Sequence, residues 1–234
     1  MVRPADPTDS GSWGLLFHAH RSKITRMIRS SFFIDGFNLY HALKRLNGPH
    51  LKWVDLMKLM EQQIAPKSER LEAVFYFSAY AYWLPDQKSR HEEYIRALES
   101  TGVKIVMGQF KEKNRSCLKC KATWTQHEEK ETDVNIALYV LNEAFKDSYD
   151  RAYIVSRDSD LKPAVEMVRA QFPKKEIFIV APPHLGHSND LIQSAHGKQK
   201  IKKPQIERCL FPETVLDVAG NKVAKRPSQY APPA

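Results

Sequence analysis

The sequence predicts an α/β fold, with a parallel sheet covered by helices on both faces. Short, near-continuous apolar runs recur along the chain, as in strands buried on both faces. Between them lie longer segments whose apolar residues fall at helical spacing. The 234 residues, 42% of them hydrophobic, suit one domain with extensions and can bury a real core.

Residues 1–28 mix Pro, Asp, Ser and Gly without a period and read as a disordered extension. Met27, just before the first strand, is compatible with a shorter product starting there. "SFFIDG" (31–36) is the first strand, and a helix follows over 38–46. "WVDLMKLMEQQI" places Val54, Leu56, Met57, Leu59, Met60 and Ile64 at helical spacing. "LEAVFYFSAY" (71–80) is the second strand, and "DQKSRHEEYIRALESTG" is a helix stopped by Gly102. "VKIVMGQF" is the third strand, and 111–130 reads as a polar loop. "TDVNIALYVLNEAF" is a strong amphipathic helix, with Val134, Leu138, Leu141 and Phe145 lining one face. "RAYIVS" is the fourth strand, and a helix over 160–171 tolerates Pro163 in its first turn. "EIFIVAPP" is the fifth strand, followed by a short helix over 189–195. "TVLDVAGNKVAKRP" reads as a terminal hairpin turning at Gly220-Asn221.

In such sheets, sites form outside the carboxyl ends of the strands. Asp35 ends the first strand, with Asn38 three residues on; Asp158 and Asp160 follow the fourth; Asp133 opens the helix before it. If the first and fourth strands are neighbours, these residues converge, with Glu131 able to join them. Clustered carboxylates need a counter-charge, which Mg²⁺ or Mn²⁺ on hard oxygen ligands supplies. Each residue has a plainer explanation as well. Asp35 before Gly36 suits a turn, Asp133 complements a helix dipole, and Ser159 or Asp160 caps a helix.

"FFIDGFNLY", "EKETDVNIAL" and "YIVSRDSDLKPAV", in that order, resemble the NYN domain, a branch of the PIN-like metal-dependent ribonucleases. The LabA-like group is the nearest match, and the ending "LFPETVLDVAGNKVAKRPSQY" is similar to its ending. The resemblance implies a Rossmann-like, PIN-like parallel sheet of five strands plus the C-terminal hairpin. The catalytic domain would span 29–196, with 197–234 a basic C-terminal segment packing on it. It implies hydrolysis of RNA phosphodiesters at a Mg²⁺ or Mn²⁺ centre held by Asp35, Asp133, Asp158 and Asp160, with Asn38 completing the catalytic set. The family often has Gly where this chain has Arg157, which either contacts a phosphate or points into solvent. PIN-like enzymes also often use an acidic residue on an earlier helix, here Glu92 or Glu93.

The net charge of +9 fits a polyanionic partner, with RNA, single-stranded or structured, the expected one. Lys198, Lys200, Lys202 and Lys203 form one basic cluster; Arg21, Lys23, Arg26 and Arg29 form another. Ser156 and Arg157 are placed to meet a ligand or phosphate. Tyr80, Tyr82, Trp83 and Trp124 are candidates to stack on unpaired bases, and His184 and His187 follow the fifth strand.

Cys117, Cys120 and His127 could begin a structural zinc site, but a local fourth ligand is missing and Cys209 is remote. The favoured reading is a reduced loop without zinc. The cysteine usage suits a reducing cytoplasm, and no apolar run reaches membrane-spanning length. A homo-oligomer is compatible with the sequence.

Two other functions compete with the ribonuclease. One is a catalytically weak nucleic-acid-binding or regulatory module on the same fold. The other is a phosphatase with Asp35 as nucleophile, disfavoured because Phe37 stands where such enzymes place a second Asp.

Overall fold

The structure is a computed structural model and describes residues 26–233. Most of the expected N-terminal extension, including Arg21 and Lys23, lies outside the described residues.

The chain opens with β1 (Ile28–Asp35) and α1 (Gly36–Lys44), then a 3₁₀ turn (Pro49–Lys52) and α2 (Leu56–Glu61). Next come β2 (Glu69–Ser78), α3 (Pro85–Ser100) and β3 (Lys104–Met107). α3 stops where Gly102 takes φ +88°, a left-handed turn that a side chain would strain. A hairpin follows, β4 (Gln109–Ser116) and β5 (Thr123–Lys130), leading into α4 (Thr132–Phe145). Then come β6 (Arg151–Val155), a 3₁₀ turn (Ser159–Leu161), α5 (Lys162–Gln171) and β7 (Glu176–Ala181). The chain ends with α6 (Asn189–Ser194), β8 (Gly197–Lys200), α7 (Lys203–Arg208) and the hairpin β9 (Thr214–Leu216) and β10 (Lys222–Lys225).

The central sheet runs β3-β2-β1-β6-β7-β8, and every pairing in it is parallel. The order reverses between β1 and β6, so the expected neighbours are indeed paired, with Ile34 opposite Val155. Both faces are buried. Phe32, Ile34, Val74 and Val155 pack with Trp53, Leu59 and Leu98 from the α1–α3 side. Phe33, Phe75, Phe77 and Ile154 pack with Ile136 and Val140 of α4 and Val165 and Val168 of α5.

Four expectations need correction. The sheet has a sixth strand, β8, so it continues past the expected boundary at 196. β8 lies at the sheet edge, where Lys198 and Lys200 stay exposed; charged side chains there hinder further strand pairing and also hide the strand in sequence. The stretch expected as a polar loop forms the β4–β5 hairpin, paired from Gln109–Lys130 to Ser116–Thr123. α4 turns Ile136, Val140 and Ala144 inward, and leaves Val134, Leu138 and Phe145 exposed. Arg29 is unavailable for phosphate, because its guanidinium is bound to Asp150 and Asp147, with an Nη2–Oδ1 contact of 2.8 Å to Asp150.

At the amino ends of the strands, the buried Glu69 accepts bonds from Ser30 Oγ, Tyr153 Oη and Arg151 Nη1, at 2.7, 2.8 and 2.7 Å. This network ties β1, β2 and β6 together at the end of the sheet opposite the carboxylates.

Candidate active site

Asp35 is the last residue of β1 and the N-cap of α1. Its carboxylate accepts the Asn38 backbone N–H at 2.9 Å, the Asn38 side-chain amide, and the Ser156 hydroxyl at 2.9 Å. Ser156 follows β6, so this last bond crosses the gap where the strand order reverses. The same hydroxyl accepts the Asp158 N–H at 3.0 Å. Asp158 in turn caps the 3₁₀ turn, accepting the Asp160 N–H at 2.9 Å. Asp35 and Asp158 are therefore both caps, the plainer explanation of each.

A cleft of about 380 Å³ opens here, lined by Asp35, Asn38, Glu129, Asp133 and Asp158 among others. Asp133 enters it from the first turn of α4. Burial is the main cause that pushes the Asp133 carboxyl from 3.8 up to about 7, followed by the charges of Asp158, Asp35, Glu129 and Asp160. Burial likewise raises Asp35, against its hydrogen bonds from Asn38 and Ser156. Asp160 is exposed and is not part of the cleft wall, and it acts on Asp133 through its charge.

Glu129 was not singled out in sequence. It is fixed by the Thr132 N–H at 3.1 Å and by the Thr132 hydroxyl. Glu131 takes φ +80°, uncommon for a residue with a side chain, and turns the chain from β5 into α4. Glu129 and Asp133 on either side of that turn both line the cleft, whereas Glu131 itself is exposed and bonded by Gln109. Glu92 and Glu93 lie elsewhere. Lys88 Nζ holds Glu92 at 2.6 Å, while Glu93 pairs with Arg96 and accepts the Lys225 N–H.

The remaining site expectations divide. Ser156 is fully buried, with its hydroxyl bonded to Asp35 and to the Asp158 N–H, and it is not part of the cleft lining. Arg157 is exposed, with its Nε donating to the Gly186 carbonyl at 2.7 Å. Tyr80 packs edge-on against His91 under Lys88, away from the cleft lining. Trp83 does come close: it stacks on His127 at 3.6 Å and meets Phe110 edge-on, and both partners line the cleft. Lys200 sits on β8, two strands from β6 and so roughly 10 Å along the same sheet edge. Lys198, Lys202 and Lys203 are exposed beside it. His187 is tied to the Gln199 carbonyl at 2.7 Å, and His184 is exposed. Cys117 and Cys120 lie at the tip of the β4–β5 hairpin, His127 is opposite Glu112 lower down, and Cys209 is buried beside Gln62.

The cleft chemistry fits a divalent cation. Hard carboxylate oxygens crowd together, and the charge on each discourages ionisation of Asp133. Among the described residues, however, no group of three or more His, Cys, Asp or Glu side chains is placed so as to hold a metal ion by itself.

Behind Phe37, which also lines the cleft, is a second cavity of about 120 Å³ with aromatic walls. No helix among the described residues is long and apolar enough to cross a membrane.

Comparison with known proteins adds three findings. The pattern of the NYN domain family matches residues 29–201. A 6-hydroxy-3-succinoylpyridine 3-monooxygenase of Pseudomonas putida is 27% identical over 243 residues, covering 87% of this chain and 75% of that protein. A solved structure of a Vibrio parahaemolyticus protein of unknown function aligns with TM-score 0.50 and 17% identity, covering 79% of this chain and 97% of that one.

Proposed function

The chain belongs to the NYN domain family of the PIN-like superfamily, and on that premise we propose that it is a metal-dependent ribonuclease hydrolysing RNA phosphodiester bonds. The family suggests nuclease chemistry, generally acts on RNA and generally uses divalent metal ions. The observation that carries the reading is the cleft at the strand-order reversal, where Asp35, Asp133 and Asp158 converge.

Asp35, Asp133 and Asp158 would hold Mg²⁺ or Mn²⁺ there, with Asp160 at the rim. Such an ion would activate water and stabilise charge on a phosphoryl oxygen. Asn38 and Ser156 keep the Asp35 oxygens fixed, so the site needs little rearrangement when substrate arrives. Phe110 and His127, backed by Trp83, give one cleft wall an aromatic surface suited to unpaired bases. Arg157 and the lysines Lys198, Lys200, Lys202 and Lys203 would take backbone phosphates along the sheet edge. We place this activity in the cytoplasm, from the cysteine usage.

The test is cleavage of single-stranded and structured RNA with Mn²⁺ and with EDTA, by wild type and Asp158→Asn. Cleavage that needs the metal and the carboxylate is expected. RNA binding without cleavage under any condition would leave a nucleic-acid-binding module instead.

A second reading follows from the name of the P. putida relative, a monooxygenase of a substituted pyridine. Action on a small heteroaromatic ring is favoured here by the aromatic cavity behind Phe37. Consumption of such a compound by protein that leaves all RNA intact would establish it.

A further inference from the structure

The cavity behind Phe37 has no role in the ribonuclease reading. It lies between α1, the end of β2 and α3, and Tyr230 closes one side. Tyr40, Tyr76, Tyr94 and His91 supply the other aromatic walls. Tyr76 comes close to the chain because Gly36 lacks a side chain: a Cβ there would stand 2.7 Å from the Tyr76 ring. His91 keeps a buried Nε2 without a hydrogen-bond partner. Burial lowers its pKa to about 4, so at neutral pH it offers an uncharged flat ring.

Two cations complete the lining. Lys52 Nζ lies 5.0 Å from the Tyr40 ring centre and 5.5 Å from that of Tyr230, and Arg90 lies beside Tyr230. Among the described residues neither cation is in an ion pair with a carboxylate. Flat neutral walls with two cations suit a planar ring that carries an anionic group.

The shared wall narrows the identity of that ring. Phe37 lines both the cavity and the acidic cleft, and Gly36 directly follows Asp35. A ring bound in the cavity is therefore a close neighbour of whatever phosphate reaches the carboxylates. We propose that the cavity takes the base of an unpaired nucleotide next to the scissile phosphodiester, with Lys52 and Arg90 on that nucleotide's phosphate. The proposal rests on the ribonuclease reading and extends it to substrate choice. A base in a duplex is held by its partner, so such a pocket selects unpaired RNA.

The test reads binding separately from cleavage. A fluorescent single-stranded oligonucleotide is titrated in EDTA, and one abasic nucleotide is moved stepwise along it. Affinity should fall about tenfold at one position, as loss of one base stack implies. That position should adjoin the bond cut when Mn²⁺ is restored. Ala81→Trp, which fills the cavity, should erase the dependence on position while thermal melting shows the protein folded. Lys52→Gln with Arg90→Gln should weaken binding of the intact strand. A flat scan with wild type overturns the proposal, whether or not the RNA is cleaved. A clear scan without cleavage in Mn²⁺ keeps the pocket and removes the ribonuclease. A 5′-mononucleotide that competes as tightly as the whole strand binds would assign the cavity to free nucleotides and overturn its role in the strand.

Discussion

The Ser156 hydroxyl donates to Asp35 Oδ2 at 2.9 Å, joining the ends of the two strands between which the sheet order reverses. It is one of the bonds that oppose the upward pull of burial on the Asp35 carboxyl. Ser156→Ala should therefore raise the Asp35 pKa further. A hydrogen bond to a charged group favours its ionised form, so the acidic limb of the pH–rate profile should move to higher pH. RNA affinity in EDTA should change little, because Ser156 is buried. An unmoved acidic limb would mean that Asp35 ionisation does not govern the rate.

Gly36→Ala tests how closely the cleft and the aromatic cavity are built together. A Cβ at Gly36 would lie 2.6 Å from the Phe77 carbonyl oxygen, a backbone atom of the central sheet. Neither strand can yield easily, so overpacking should cost about 1–3 kcal/mol. The melting temperature should fall by several degrees, at roughly 2–4 °C per kcal/mol for a chain of this size. Cleavage should fall as well, since Asp35 is the preceding residue. A variant as stable as wild type would show that α1 shifts freely relative to β2.

Much of this site was legible because its carboxylates mark structural punctuation. Asp35 and Asp158 each follow an apolar run, and Asp133 begins an apolar helix, so their positions along the chain follow from composition alone. Convergence required only that the first and fourth expected strands be neighbours. Glu129 stayed hidden for a physical reason: the β4–β5 hairpin buries neither face, so its sequence shows no alternation of apolar and polar residues. α4 carries apolar residues almost all round, so hydrophobicity could not tell the Ile136–Val140 face from the Val134–Leu138 face. The role of Ser156 depended on which way one hydroxyl points. The aromatic cavity joins Gly36 to Tyr230, a contact that no local pattern records.

The Glu69 network at the far end of the sheet offers a control. Arg151 Nη1 donates to the buried Glu69 at 2.7 Å and its Nε to Glu176 at 2.7 Å. Arg151→Met should cost roughly 3 kcal/mol, because it leaves Glu69 buried without its cation. The bonds from Ser30 and Tyr153 keep the loss from being larger. Urea unfolding gives the stability, and cleavage per folded molecule should match wild type. A large loss of activity in protein that is still folded would show that the two ends of the sheet are coupled.

Asp133 links the cleft to stability. Its carboxyl titrates near 3.8 in the unfolded chain and at about 7 in the folded, metal-free protein. Between those values the folded state holds more protons than the unfolded state, so stability falls as pH rises through the window and levels off above it. Asp133→Asn has no such group. The variant should melt close to wild type at about pH 4, and at a higher temperature than wild type at about pH 8 in EDTA. Adding Mn²⁺ at about pH 8 should reverse the order: a cation that binds only the folded wild type raises its melting point, and the variant should gain little. Melting curves of both proteins at the two pH values, with EDTA and with Mn²⁺, decide the matter. If the metal stabilises both equally at about pH 8, Asp133 does not hold it, and its raised pKa reports only its burial and the charges of the neighbouring carboxylates.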